Sequence, residues 1–311
     1  MKPNDSRSLM LLLLLTFLSF ALVVPPGMAQ ELPVVDPVED LDFDAPESWA
    51  MKLYASVSLL TSLGPIEVRE PGSVEVALEG LSVPHLDREQ RTVGFGGRKE
   101  EDLNRTPVWG RGRVTVGLPW SSAVTLAWAP PVRLDGVEAS LVSAALEKNL
   151  LNRGPWTLGV RLYGQVGTVK GDLTCTKEDA QAAPGSPGNA FGCEAPSEDE
   201  VTMDYLGLEL TAGYALRGRR APQLHLGMAG QRLDTEFQVS AQTFGFLDRS
   251  LLRTEGETFS MHGGATWQLA QKARLSLEAF YSPLSVQRLG ALSSESDDLF
   301  HLRAMVRYRL R

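Results

Sequence analysis

Phe300-His301-Leu302-Arg303-Ala304-Met305-Val306-Arg307-Tyr308-Arg309-Leu310-Arg311 decides the fold. Its even positions are apolar or aromatic, and its odd positions carry His301, Met305 and four arginines. Strict alternation makes an extended strand with two unlike faces. Six apolar side chains opposite four guanidinium groups suit a wall with lipid outside and a wet, charged lumen inside. The pattern therefore predicts an all-β chain, a closed antiparallel transmembrane β-barrel.

Nine further stretches alternate in the same way: 74–83, 108–118, 122–130, 137–146, 156–169, 201–216, 223–233, 258–269 and 273–286. Stretch 137–146 is the weakest, because Leu141-Val142 and Leu150-Leu151 also suit an amphipathic helix. With the C-terminus on the periplasmic side, the connections outside are 84–107, 131–136, 170–200, 234–257 and 287–298. Those inside are 119–121, 147–155, 217–222 and 270–272. Long loops at one end, short turns at the other and an even strand count are what bacterial barrels require. Phe237, Val239 and Ala241 suggest a hairpin projecting from connection 234–257. About ten strands are expected, with twelve as the alternative.

The ends add a compartment. Lys2 and Arg7 precede an apolar run from Leu9 to Val24, followed by Pro25-Pro26-Gly27-Met28-Ala29. This predicts a cleavable signal peptide over residues 1–29, cut between Ala29 and Gln30. The remaining chain has 28 basic and 37 acidic residues, a net charge of −9. Such a balance gives no support for nucleic-acid binding. No later apolar run is long enough for a spanning helix, so the membrane form must be a barrel. Cys175 and Cys193 are the only cysteines and predict one disulfide in an exported chain. No metal is expected at them, because no histidine lies nearby. No cofactor is expected either.

Residues 30–71 form the segment before the barrel, which itself occupies 72–311. Residues 30–48 are rich in Pro, Asp and Glu and predict a disordered or periplasmic leader. Trp49 to Leu63 alternates again, which predicts a strand or an extended segment at or inside the lumen. The alternation assigns Glu75, Glu79, Arg111, Arg113, Arg161, Glu209, His225, His262, Arg274, Glu278, Arg303 and Arg307 to the lumen, with Glu138 beside them. Buried charges persist only when paired and hydrogen-bonded. These residues therefore serve either as salt bridges holding the barrel shut or as a polar conduit. A Ser–His–acid site built from Ser260, His225 or His262 and Glu278 is the enzymatic alternative, but no G-x-S-x-G supports it. An enzyme is not expected.

The signal segment, alternating strands, Trp109, Trp120, Trp128, Trp156 and Trp267 near strand ends, and the terminal strand together resemble outer-membrane β-barrel proteins of Gram-negative bacteria. Residues 72–311 carry the resemblance. It implies an outer-membrane location, contact with lipid and lipopolysaccharide, and assembly machinery that reads the C-terminal strand. Such proteins usually end on an aromatic residue, whereas this chain ends Tyr308-Arg309-Leu310-Arg311. The layout of a segment before the barrel is similar to the fatty-acid and aromatic-hydrocarbon transporter families, which place that part in the lumen. The function that follows is a passive pore or transporter for small or apolar solutes. The alternative is a closed structural or surface-interaction barrel. Loop acids such as Asp172, Glu198, Asp199, Glu200 and Asp297 suit a solvated surface, or cation bridges to lipopolysaccharide phosphates.

Overall fold

The computed structural model describes residues 32–218 and 221–310. The expected export segment, with its cut between Ala29 and Gln30, lies outside the described residues. Ten antiparallel strands form the wall. They are β1 (Val74–Ser82), β2 (Val108–Leu118), β3 (Ser122–Ala129), β4 (Val137–Arg153), β5 (Trp156–Gly171), β6 (Asp199–Ala215), β7 (Gln223–Gln238), β8 (Leu251–Ala270), β9 (Ala273–Ser282) and β10 (Leu299–Arg309). Each pairs with its neighbours in sequence, and β10 returns to β1 with Val306 opposite Leu78. That last pairing closes the cylinder, so its backbone groups are satisfied without a helix. Among the described residues the closed wall has ten strands, not the alternative twelve.

Side chains alternate across this wall as the terminal strand predicts. On β10, Phe300, Leu302, Val306 and Tyr308 face outward, while His301, Arg303, Met305 and Arg307 are buried within. Leu78, Val114, Leu126, Leu162, Leu208 and Leu226 continue the apolar exterior around the cylinder. Short turns gather at one end, here called the turn end. The long connections gather at the other, the loop end.

Strand β4 runs on to Arg153, which corrects both the helical alternative for Leu150-Leu151 and the turn expected at 147–155. The register against β5 shifts between Leu158 and Gly159, so one extra residue is taken up near Leu150. A bulge of this kind puts two successive leucines on the outer face. The true turn is only Gly154-Pro155, and Glu147 and Asn149 stay in the lumen.

The segment before the barrel departs most from expectation. Trp49 to Leu63 is neither a strand nor an extended segment: Pro46–Val57 is a helix, α1, and the residues after it are irregular, with Leu63 in the left-handed region. Pro46 opens the first turn, where its missing N–H is not needed. Trp49, Met51, Leu53, Ala55 and Val57 are all buried, and so are Ala50, Lys52 and Ser56 between them. A helix enclosed on every side needs no polar face, so its composition hides the helical period.

Residues 34–40 are likewise not a free leader. Val34–Val35 pair in parallel with Leu247 and Asp248, and Val38–Asp40 with Leu251 to Arg253, all at the loop end. The cause lies in strand lengths. Strand β8 extends ten residues beyond its last partner in β9, Met261 opposite Tyr281, and leaves an open edge. Residues 38–40 cover part of that edge, which an unpaired strand would otherwise expose.

The predicted hairpin in 234–257 is present as Ala241–Thr243 against Phe246–Asp248. Cys175 and Cys193 are bonded, and Cys193 bridges to Thr243 of that hairpin. Asp199 is not a solvated loop acid. It is fully buried and accepts from the backbone N–H groups of Thr174 (2.6 Å) and Ser240 (2.9 Å). The loop end is thus knit together and tied to the wall through β8 and Asp199 of β6. Replacing both cysteines by serine is expected to remove about 2–4 kcal/mol of stabilisation from this region. Limited proteolysis would show new cleavage in 176–192, while the unheated barrel keeps its compact mobility in detergent gels.

Candidate functional site

All twelve sequence-predicted lumen residues point into the barrel; eleven fall into three groups, and Arg303 lies between Glu79 and Glu278, 3.9 Å from the latter. Near mid-height, Glu79 holds Arg111 (Nε–Oε2 2.6 Å) and Arg113 (Nη2–Oε2 2.5 Å). Toward the turn end, Arg274 bridges Glu75 (2.6 Å) and Glu67, and Arg307 lies 3.9 Å from Glu75. Arg161 pairs with Glu147, which Arg69 approaches at 3.5 Å. Glu138 is not among them; it is half-exposed at the loop end, 4.0 Å from Arg133.

Those ion pairs leave guanidinium N–H groups over, and the N-terminal segment uses them. After α1, residues 58–66 run as irregular chain down the lumen from the loop end toward the turn end. Arg111 donates to the carbonyls of Ser58 (2.7 Å) and Leu59 (2.9 Å), and Arg113 to Thr61 O (2.7 Å). Arg303 donates to Leu59 O (3.2 Å) and Thr61 Oγ1 (2.8 Å). Arg307 donates to the carbonyls of Ser62 and Leu63. Asn149 Nδ2 donates to Ile66 O at 2.6 Å. Tyr205 OH accepts from Leu60 N (2.9 Å) and donates to Ser58 O (3.0 Å). Glu209 accepts from both Ser62 N (3.0 Å) and Ser62 Oγ (2.6 Å). The segment has no strand partner, so side chains of the wall satisfy its buried backbone instead.

The third group joins neighbouring strands. His225 Nε2 lies 3.0 Å from Glu278 Oε2, and His262 Nδ1 lies 2.9 Å from the same oxygen. The other nitrogen of His262, Nε2, is 3.2 Å from Glu209 Oε1. Ser260 is directed elsewhere: its Oγ donates to Gln231 Oε1 at 3.4 Å. The conceivable Ser–His–acid arrangement is therefore not assembled.

Glu147, Asn149 and Tyr205 were not among the predicted site residues. The signal for the first two was present, because Leu141, Ser143 and Ala145 already mark the inward positions and 147 and 149 continue them. Arg69 and Glu67 carry no such periodicity, since they lie in the irregular chain before β1.

Above the threaded segment, at the loop end, is a cavity of about 450 Å³. Met51 and Tyr54 of α1 form one side, and Trp109, Leu141, Met203 and Phe237 the other. Val57 and Ser58 form its floor, where the threaded segment begins. Its one guanidinium, Arg105, is held by Asp172 and by Asp102 (3.0 Å).

No family model matches the chain, and no curated protein matches it. Among solved structures, the outer membrane protease OmpT of Escherichia coli is 13% identical, over 77% of this chain and 94% of its own, with a TM-score of 0.35. The toluene transporter TbuX of Ralstonia pickettii is 8% identical over 78% and 90%, with a TM-score of 0.33. The toluene transporter TodX of Pseudomonas putida is 13% identical over 88% and 78%, with a TM-score of 0.32. At these values the likeness assigns no activity.

Glu79 is the counter-charge on which two buried guanidinium groups depend. Replacing it by glutamine is expected to cost about 3–5 kcal/mol, because the partners stay buried and charged. Urea unfolding in detergent would read this as a lowered midpoint, and adding Arg113→Met to Glu79→Gln should recover part of the loss.

Proposed function

We propose that the chain is an outer-membrane barrel admitting small apolar solutes, with the loop-end cavity as their first binding place and residues 58–66 as the gate beneath it. The apolar exterior supports the membrane setting, since no soluble barrel gains from facing Leu78, Leu126, Leu208, Leu226 and Leu302 to water. Long connections at one end and short turns at the other support an orientation with the loop end outside. The observation that carries the functional reading is the cavity itself. It is concave, lined mainly by apolar and aromatic side chains, and of a size that encloses a small ligand. Its floor is the segment that any solute must displace to continue through the lumen.

A closed structural barrel is the second reading. The observation favouring it is the number of hydrogen bonds from the wall to residues 58–66.

Two measurements separate the two. An apolar naphthylamine fluorophore should bind saturably and quench Trp109, and Leu141→Glu should weaken binding more than about tenfold by placing an unpaired carboxylate in the cavity. Ser62 Oγ and Thr211 Oγ1 are 3.4 Å apart, so cysteines at both positions can tie the segment to β6. In a background lacking Cys175 and Cys193, entry of the fluorophore into liposomes should stop on oxidation and resume on reduction. If the wild type shows neither saturable binding nor entry, the solute reading fails and the closed barrel stands.

A further inference from the structure

The gate and the cavity leave one group of the lumen unused. His225, His262 and Glu278 come from β7, β8 and β9, and their ligand atoms lie within 4.8 Å of one another. We propose that these three side chains form a site for one divalent transition-metal ion, with Zn²⁺ the best match to two imidazoles and a carboxylate.

Four observations carry this. First, proton-mediated contacts leave the cluster short of partners. His225 Nδ1 and Glu278 Oε1 are buried and make no hydrogen bond, the nearest cation to Glu278 Oε1 being Arg303 Nη1 at 3.9 Å. His225, His262 and Glu278 are 5, 2 and 2% exposed. Second, two imidazole nitrogens converge on one carboxylate oxygen, at 3.0 and 2.9 Å. A shared cation is a natural centre for such convergence.

Third, the far nitrogen of His262 faces Glu209 at 3.2 Å. Histidines that bind a metal through one nitrogen commonly present the other to a carboxylate, which orients the ring. Glu209 has that place, and through Ser62 it also touches the gate.

Fourth, the wall is cut back where the imidazoles lie. Gly227 is opposite His262, and Gly264 is opposite both His225 and Glu278. A Cβ on Gly227 would meet the His262 ring at 2.3 Å, and one on Gly264 would meet His225 Cε1 at 2.9 Å and the β9 backbone closer still. Only glycine leaves this space. The sequence alone predicts no metal, since the three residues are spread over three strands without ligand spacing. A bound ion would tie those strands together and, by way of Glu209, add rigidity to the seat of the gate.

The test uses the full mature chain without a histidine tag, folded in detergent, stripped with a chelator and then freed of it. Titration with Co²⁺ should give visible bands of low-coordinate cobalt, saturating at about one ion per chain and displaced by Zn²⁺. His225→Gln should lower the affinity by more than about tenfold, and it leaves Glu209 and the gate untouched. His262→Gln should do the same while keeping an amide between the two glutamates. X-ray absorption of the zinc-loaded wild type needs no variant and should show imidazole ligands at about 2.0–2.1 Å. The proposal is overturned if the folded wild type gives no cobalt bands, if the bands survive both histidine variants unchanged, or if the zinc shell lacks imidazole.

Discussion

Buried guanidinium groups that serve two partners at once are the constraint on which the rest of this barrel depends. Arg111 and Arg113 meet a carboxylate on one side and the carbonyls of residues 58–61 on the other. Arg307 does the same with Glu75 and the carbonyls of Ser62 and Leu63. Neither half is stable alone. An unpaired buried charge is expensive, and an irregular chain without a backbone partner leaves its carbonyls unsatisfied at about 1–3 kcal/mol each. Together, the polar wall and the threaded segment complete each other. A lumen filled by a bound segment is thus a consequence of the same charges that, in an empty barrel, would line a channel.

The two ends of the cylinder differ for a related reason. Below α1 polar side chains of the wall hold the backbone of the segment, while Leu59 and Leu60 are buried in the apolar cluster. At α1 the wall changes character, and Trp49 and Leu53 of the helix share an apolar cluster with Leu81, Phe280 and Leu284. Another side of the helix looks across to Trp109, Leu141 and Met203, and there the packing stops short and leaves a cavity. Apolar surface beside a rigid wall, with polar chain as its floor, places a greasy recess directly above the part of the lumen that water and ions would favour. Unequal strand lengths add a further consequence: the overhang of β8 recruits residues 38–40 and so anchors the start of the segment at the loop end.

Much of this was legible along the chain. Arg303 and Arg307 on one face and Leu302 and Val306 on the other follow from a period of two, which belongs to the strand itself and needs no knowledge of neighbours. Because every barrel strand obeys it, the inward set could be assembled residue by residue, and Glu147 and Asn149 were lost only where a bulge was taken for a turn. The alternation from Trp49 to Val57 failed for the opposite reason. There the side chains are buried on all faces, so no contrast between polar and apolar positions remains to mark a helix.

The sequence by itself determined the strands, their faces and which end bears the long loops, because these follow from local alternation and chain length. Only the tertiary structure decided that Trp49 to Val57 is a helix, that residues 58–66 thread the lumen, and that His225 and Glu278, 53 residues apart, share a contact. Each of those depends on register around a closed cylinder. Closure brings distant strands to one height, and nothing within any single strand records what it will face there.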